Sequence, residues 1–244
     1  MLKLVFDRDN LQHTAKPNCK MCLGAGWVRK DKADNSSVLV RCLGEIHLAE
    51  TLVKMGVPNE YKHCSFENYK ASKPRKEKAK KIAENYADKF LKEEKLIAEG
   101  LVFWGATDKG THLAVAIMQR LIATEKESLL FIDFFNSLFD ITFNRDFIDW
   151  FQDDKDNNTP QRYKELTPFY EKMLNDDLLV VDDLNMLHAS NTEIELLGHV
   201  VSYRYGKCLP LIITTKFKPI ELANILDAST FGKLKAMCDW VYVR

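Results

Sequence analysis

Leu178-Leu179-Val180-Val181-Asp182-Asp183-Leu184 decides how the rest of this chain reads. Its four leading apolar residues suit a buried strand, and two consecutive carboxylates follow where such a strand leaves the core. Acids at that exit can hold a cation. The same letters also suit a strand entering a turn, with Asp183 or Asn185 making a local turn bond. The neighbouring segments decide between the two.

Upstream, Leu101-Val102-Phe103-Trp104 predicts another buried strand. Gly105-Ala106-Thr107-Asp108-Lys109-Gly110-Thr111-His112 follows, and then an apolar helix through Val115, Ile117, Met118, Leu121 and Ile122. A strand, a glycine-bounded loop and a helix form the setting in which backbone N–H groups and a helix N-terminus cradle phosphates. The phosphate-loop pattern is G-x-x-x-x-G-K-[S/T]. Gly105 and Gly110 have its spacing, which leaves Thr111 at the lysine position and His112 at the hydroxyl position. Anchoring on Thr111 as the hydroxyl instead makes the loop one residue short and puts Lys109 before Gly110. In neither register do lysine and hydroxyl both take their usual places, so a phosphate-free strand-to-helix turn stays open beside the phosphate cradle.

From Leu101 onward strands and helices alternate, which predicts a parallel sheet covered on both faces. Leu129–Asp133 reads as a strand, and the aromatic-rich stretch from Phe134 to Phe151 reads as helical faces packed in a core. A helix from about Gln161 to Leu174 leads to the strand quoted first. Asn191 is expected to cap a helix that ends near Tyr203-Arg204-Tyr205-Gly206. Leu211-Ile212-Ile213-Thr214 then delivers Thr215 and Lys216 to the strand end where doubly wound sheets bind ligands. Two short helices, Ile220–Leu226 and Phe231–Met237, and a last strand, Trp240–Val243, complete the pattern.

The first hundred residues differ in character. Cys19-Lys20-Met21-Cys22, then Gly24 and Gly26, form a C-x-x-C knuckle, and Cys42 returns after a hairpin's length. Cys19, Cys22 and Cys42 are candidate Zn²⁺ ligands, with His47, His63 or Cys64 open as the fourth, and a metal-free hairpin is the alternative. A helix through Ile46, Ala49, Leu52 and Val53 stops before Gly56-Val57-Pro58. Phe66 and Tyr69 are expected to pack on the following domain. Lys70, Lys73, Arg75, Lys76, Lys78, Lys80 and Lys81 make a basic run, read as the solvated start of a helix that Gly100 ends. Lys plus Arg and Asp plus Glu balance at 35 each, so nucleic acid would have to meet a local patch. No stretch has the length and apolarity of a membrane span, and six cysteines behind a start unlike a signal peptide predict reduced thiols or metal ligands in the cytoplasm.

Taken in order, these motifs resemble the DnaC/DnaI-like helicase loaders and their IstB-like relatives among the AAA+ P-loop ATPases. The resemblance rests on the cysteine knuckle with Gly24-Ala25-Gly26-Trp27, on Gly56-Val57-Pro58 with Phe66-Glu67-Asn68-Tyr69, and on Thr111-His112-Leu113-Ala114. It continues through Leu179–Leu184, Tyr203-Arg204-Tyr205, Leu209-Pro210 and Ile212-Ile213-Thr214-Thr215. It implies a three-layer αβα P-loop domain at 100–244, a cysteine-containing helicase-binding module at 1–56, and a linker with a basic helix at 57–99. It further implies ATP with Mg²⁺ between subunits of a homo-oligomer, and a replicative helicase and single-stranded DNA as partners. By position, Asp182 would hold Mg²⁺, Asp183 would help place the attacking water, and Arg204 would act in trans on a neighbour's phosphates. Gly105, Thr107, Asp108, Lys109, Gly110, Thr111 and His112 would line the phosphates. Lys216 stands where the family shows the sensor Asn, and Lys233 where it shows a late Arg. Three functions follow: an ATP-dependent loader, a non-catalytic adaptor or inhibitor that binds a helicase, and a transposition helper ATPase of the IstB kind.

Overall fold

The computed structural model describes residues 20–244 except 21, 24, 26, 32–35, 43, 93–98, 106, 124–127, 134–166 and 186–188. The chain divides into two compact units, 1–54 and 55–244. Residues 57–99, expected as a linker, thus belong to the same unit as the sheet. The aromatic stretch 134–151, Cys19 and the first part of the helix expected from Gln161 lie outside the described residues.

In the first unit, β1 (Trp27–Asp31) pairs antiparallel with β2 (Ser37–Arg41), and α1 (Glu45–Lys54) follows. Alternation along the hairpin puts Val28 against Cys22 and Cys42. Leu48, Ala49 and Leu52 form the buried side of α1, at the spacing that one helical face requires.

The second unit is a parallel five-stranded sheet. Its elements are α2 (Pro74–Lys92), β3 (Gly100–Trp104), α3 (Thr107–Ile122), β4 (Leu129–Asp133), α4 (Thr167–Asn175), β5 (Leu178–Asp182), α5 (Asn191–Gly206), β6 (Leu211–Thr215), α6 (Pro219–Ile225), α7 (Ala228–Met237) and β7 (Cys238–Tyr242). The strand order is β4-β5-β6-β3-β7. Strand β3 therefore lies between β6 and β7, while the next strand in the chain, β4, lies at the far edge. That reversal places the ligand-binding crevice of an open α/β sheet at the carboxyl ends of β3, β5 and β6. The runs Leu178–Val181 and Leu211–Ile213 are fully buried, as strands covered on both faces must be.

Three local expectations are corrected. Gly100 does not end a helix but opens β3, where a side chain would meet the Leu211 carbonyl oxygen at 2.1 Å. Asn191 is the first residue of α5, and the cap is Ser190, whose hydroxyl accepts from the Glu193 N–H at 3.3 Å while the Glu193 carboxylate accepts from the Ser190 N–H at 2.6 Å. Arg204 is no trans-acting group. It is 0% exposed, and its guanidinium donates to the carbonyls of Met173 (2.9 Å), Leu174 (3.3 Å), Asp176 (2.9 Å) and Pro210 (2.7 Å). It ties the end of α4 and the entry to β6 onto α5, and burial pulls its pKa down to about 10. A short loop leaving a helix carries unpaired carbonyls, and a buried fork of donors satisfies several at once. Arg204→Met is expected to cost about 3 kcal/mol or more in urea unfolding, because four carbonyls lose their donor.

Candidate nucleotide-type site at the sheet's carboxyl edge

The strand quoted first ends at this edge. Asp182 is 5% exposed, and its Oδ1 accepts from the hydroxyls of Thr111 (2.6 Å) and Thr214 (2.5 Å). Thr111 comes from the second turn of α3 and Thr214 from the end of β6. The register explains the second bond, since Val181 pairs with Ile213 and the next residues along are Asp182 and Thr214. The Thr214 hydroxyl also accepts from the Asp183 N–H at 2.9 Å, and Asp183 takes the left-handed conformation, φ 45°, that acidic side chains tolerate. Beyond it the Leu184 N–H donates to the Thr214 carbonyl (2.8 Å), and the Thr215 hydroxyl donates to the Leu184 carbonyl (2.8 Å). Thr214 and Thr215 thus fasten the exit of β5 to that of β6. In sequence Thr214 is marked only by the hydroxyl pair that closes an otherwise aliphatic strand.

The Thr111–Asp182 bond favours the register in which Thr111 is the hydroxyl residue. A hydroxyl beside the acidic strand end is the relation a phosphate loop requires, so Thr111 holds the hydroxyl position, and the lysine position before it falls on Gly110. Gly110 has no side chain, and a Cβ there would be tightly placed, 3.1 Å from Phe103 Cβ and 3.2 Å from Thr214 Cβ. Only residues 105 and 106 separate β3 from α3, because the helix already begins at Thr107. Gly105 has φ 110°, and its N–H donates to the Thr215 carbonyl at 3.0 Å. A side chain there would meet the Tyr242 ring at 2.7 Å.

The remaining assigned residues are placed as follows. Lys109 Nζ pairs with Asp108 Oδ2 at 3.1 Å on the first turn of α3. His112 Nε2 contacts the Ser65 carbonyl at 2.9 Å and meets Tyr69 edge-on at 5.1 Å. Tyr69 and Phe66 are buried, and Arg120 lies over the Phe66 ring at 4.3 Å. Lys233 Nζ donates to the hydroxyls of Ser202 (2.9 Å) and Ser229 (2.8 Å), and Lys216 is exposed just beyond β6. Asp183 Oδ1 is buried without a hydrogen-bond partner, an acceptor that suits a cation or water. Burial and the nearby Glu60, Asp182 and Asp108 carboxylates raise the pKa of Tyr61. The acid side of a nucleotide site is therefore present, whereas among the described residues no lysine stands at the phosphate-loop position. Helix α3 already begins at Thr107, Lys233 and Arg204 bond elsewhere in the fold, and Lys109 pairs at the surface with its neighbour Asp108. Among the described residues, the loop lysine that ATP with Mg²⁺ uses has no counterpart at its position.

In the first unit, Cys22, Cys42 and His47 bring their ligand atoms within 4.8 Å of one another, all three buried. Cys22 Sγ lies 3.2 Å from His47 Nε2, and the Gly44 N–H donates to Cys42 Sγ at 3.4 Å. His47 is thus the residue of the open set that joins the cysteines, while His63 and Cys64 belong to the other unit. Two sulfurs and an imidazole at this spacing fit a tetrahedral ion, and an N–H to sulfur supports a thiolate ligand.

No family model matches the chain. It is 24% identical over 216 residues to the replicative helicase loader DnaC of Escherichia coli strain K12, covering 86% of this chain and 78% of that one. The crystal structure of the DnaC helicase loader superposes with a TM-score of 0.61 and 22% identity, over 77% of this chain and 100% of that one. DnaI gives 0.58 and 19%, over 77% and 95%. The replication initiator DnaA bound to AMPPCP and single-stranded DNA gives 0.56 and 12%, over 77% and 50%. The chain therefore shares the fold of these proteins over most of its length. In sequence and in fold the chain is DnaC/DnaI-like, as its motifs had indicated.

Burial lowers the pKa of His112 more than its bond to Ser65 and the Asp108 carboxylate raise it. Its native pKa lies below the ordinary unfolded value, so its contribution is complete above about pH 6.5 and is lost as pH falls. The melting temperature is expected to fall between about pH 7.5 and 5.5. His112→Gln should flatten part of that fall.

Proposed function

We propose that this chain is a helicase-loader-type protein of DNA replication, one that holds a replicative helicase beside single-stranded DNA without turning over ATP. What supports the reading is that the likeness to DnaC covers 86% of the chain. A transposition helper of the IstB kind would share the sheet, and the cysteine module favours replication. The basic start of α2 offers phosphates a local patch, and its buried side, Ala79, Ala83, Tyr86, Ala87 and Phe90, anchors it. The reading places the protein in the cytoplasm, in keeping with the absence, among the described residues, of a helix long and apolar enough to cross a membrane. Homo-oligomerisation belongs to the same reading.

Zn²⁺ in the first unit would be held by Cys22, Cys42 and His47, with Cys19 the candidate to close the tetrahedron. Protein purified without chelator should then carry about one Zn²⁺ per chain by elemental analysis. Cys42→Ser and His47→Ala should lower that content.

The partner is tested by immobilising the full chain and presenting the replicative helicase of the same host. Retention of the helicase, with reduced retention by Cys42→Ser, is expected. Failure to retain the helicase, with retention of the transposase that an IstB-type helper serves, would contradict the replication reading.

A further inference from the structure

Asp182 in a working P-loop site reaches its cation with the hydroxyl of the phosphate loop beside it. In this chain that carboxylate is already enclosed. Thr111 and Thr214 donate to one of its oxygens, both hydroxyls are buried, and the Thr214 hydroxyl is also taken by the Asp183 N–H. A hydroxyl from α3, a carboxylate from β5 and a hydroxyl from β6 thus join three elements that a nucleotide would otherwise bridge.

The surroundings reinforce the closure. The lysine position is occupied by Gly110, packed closely on Phe103 and Thr214, and the N–H of Gly105 is bonded to the Thr215 carbonyl. The ammonium nearest in sequence, Lys109, pairs with Asp108. Farther along, the chain's approach to α3 is pinned by His112 at the Ser65 carbonyl, within a turn closed by Ser65 N–H to Asn68 Oδ1 (2.9 Å) and Asn68 Nδ2 to the His63 carbonyl (2.7 Å).

We propose that the paired threonine hydroxyls on Asp182 replace the Mg²⁺-nucleotide as the link between α3, β5 and β6, so that the domain keeps one conformation and grips its partner independently of ATP. This rests on the loader reading for the partner alone; the nucleotide part stands on the geometry. Closing the site with hydroxyls removes the switch that ATP gives an AAA+ domain, and makes release of the partner depend on the partner's own state or on a competitor.

The test uses the full chain with Mg²⁺ and a fluorescent ATP analogue up to about 1 mM, with the melting temperature followed in parallel, since a ligand that binds the native state raises it. No saturable binding is expected, and a shift under about 1 °C. Helicase retention should be equal with ATP, with ADP and with neither. Thr214→Val should lower the melting temperature in all three conditions alike, which shows the lock at work in folded protein. Saturable binding abolished by Asp182→Asn would overturn the proposal, and so would retention that requires ATP. Loss of helicase retention in every condition would sink the loader reading, while the titration would still decide the nucleotide question.

Discussion

A carboxylate buried at the end of an aliphatic strand has to be satisfied, and the satisfaction of Asp182 organises the sheet's carboxyl edge. An ionised acid away from water costs several kcal/mol unless it is bonded, and a hydrogen bond to a charged group is worth about 1.5–3 kcal/mol. Thr111 and Thr214 supply two such bonds to a residue 5% exposed. Because the donors come from α3 and β6, the requirement of one side chain sets the position of a helix and a neighbouring strand. The left-handed turn at Asp183 and the bonds of Thr214 and Thr215 to the chain leaving β5 follow from the same junction.

Much of the frame was legible because it follows from periodicity. Continuous aliphatic runs such as Leu178–Val181 and Leu211–Ile213 have few other uses than covered parallel strands, and the helices between them carry their apolar faces in register. Helix ends were less legible. Ser190 and Asn191 are both good caps, and only the reach of Glu193 back to Ser190 chooses between them. Gly100 looked like a helix terminator because glycine serves both helix ends and close backbone approach. The Leu211 carbonyl that excludes a side chain there is 111 residues away in sequence.

The site divides along the same line. Asp182 and Asp183 were visible from their place after an apolar run. The phosphate-loop register was not, because on letters alone the two glycines at the right spacing and the hydroxyl of Thr111 point to different registers. Its bond across the sheet to Asp182 is the missing information, and that bond spans 71 positions. Arg204 illustrates the opposite error. A positional likeness made it a group acting on a neighbour, whereas four carbonyls converge on it within its own chain. Arginine's fork serves phosphates and bunched carbonyls equally well, and only burial separates the two uses. In the cysteine module, spacing found Cys22 and Cys42 and left His47 among several candidates, and the fold brings His47 to them from the first turn of α1.

The central claim is that Asp182 and Thr214 are energetically coupled in the nucleotide-free protein. A double-mutant cycle on Asp182→Asn and Thr214→Val, read by urea unfolding without nucleotide, measures that coupling. The account predicts an interaction energy of about 1 kcal/mol or more. Additivity within about 0.3 kcal/mol would contradict it.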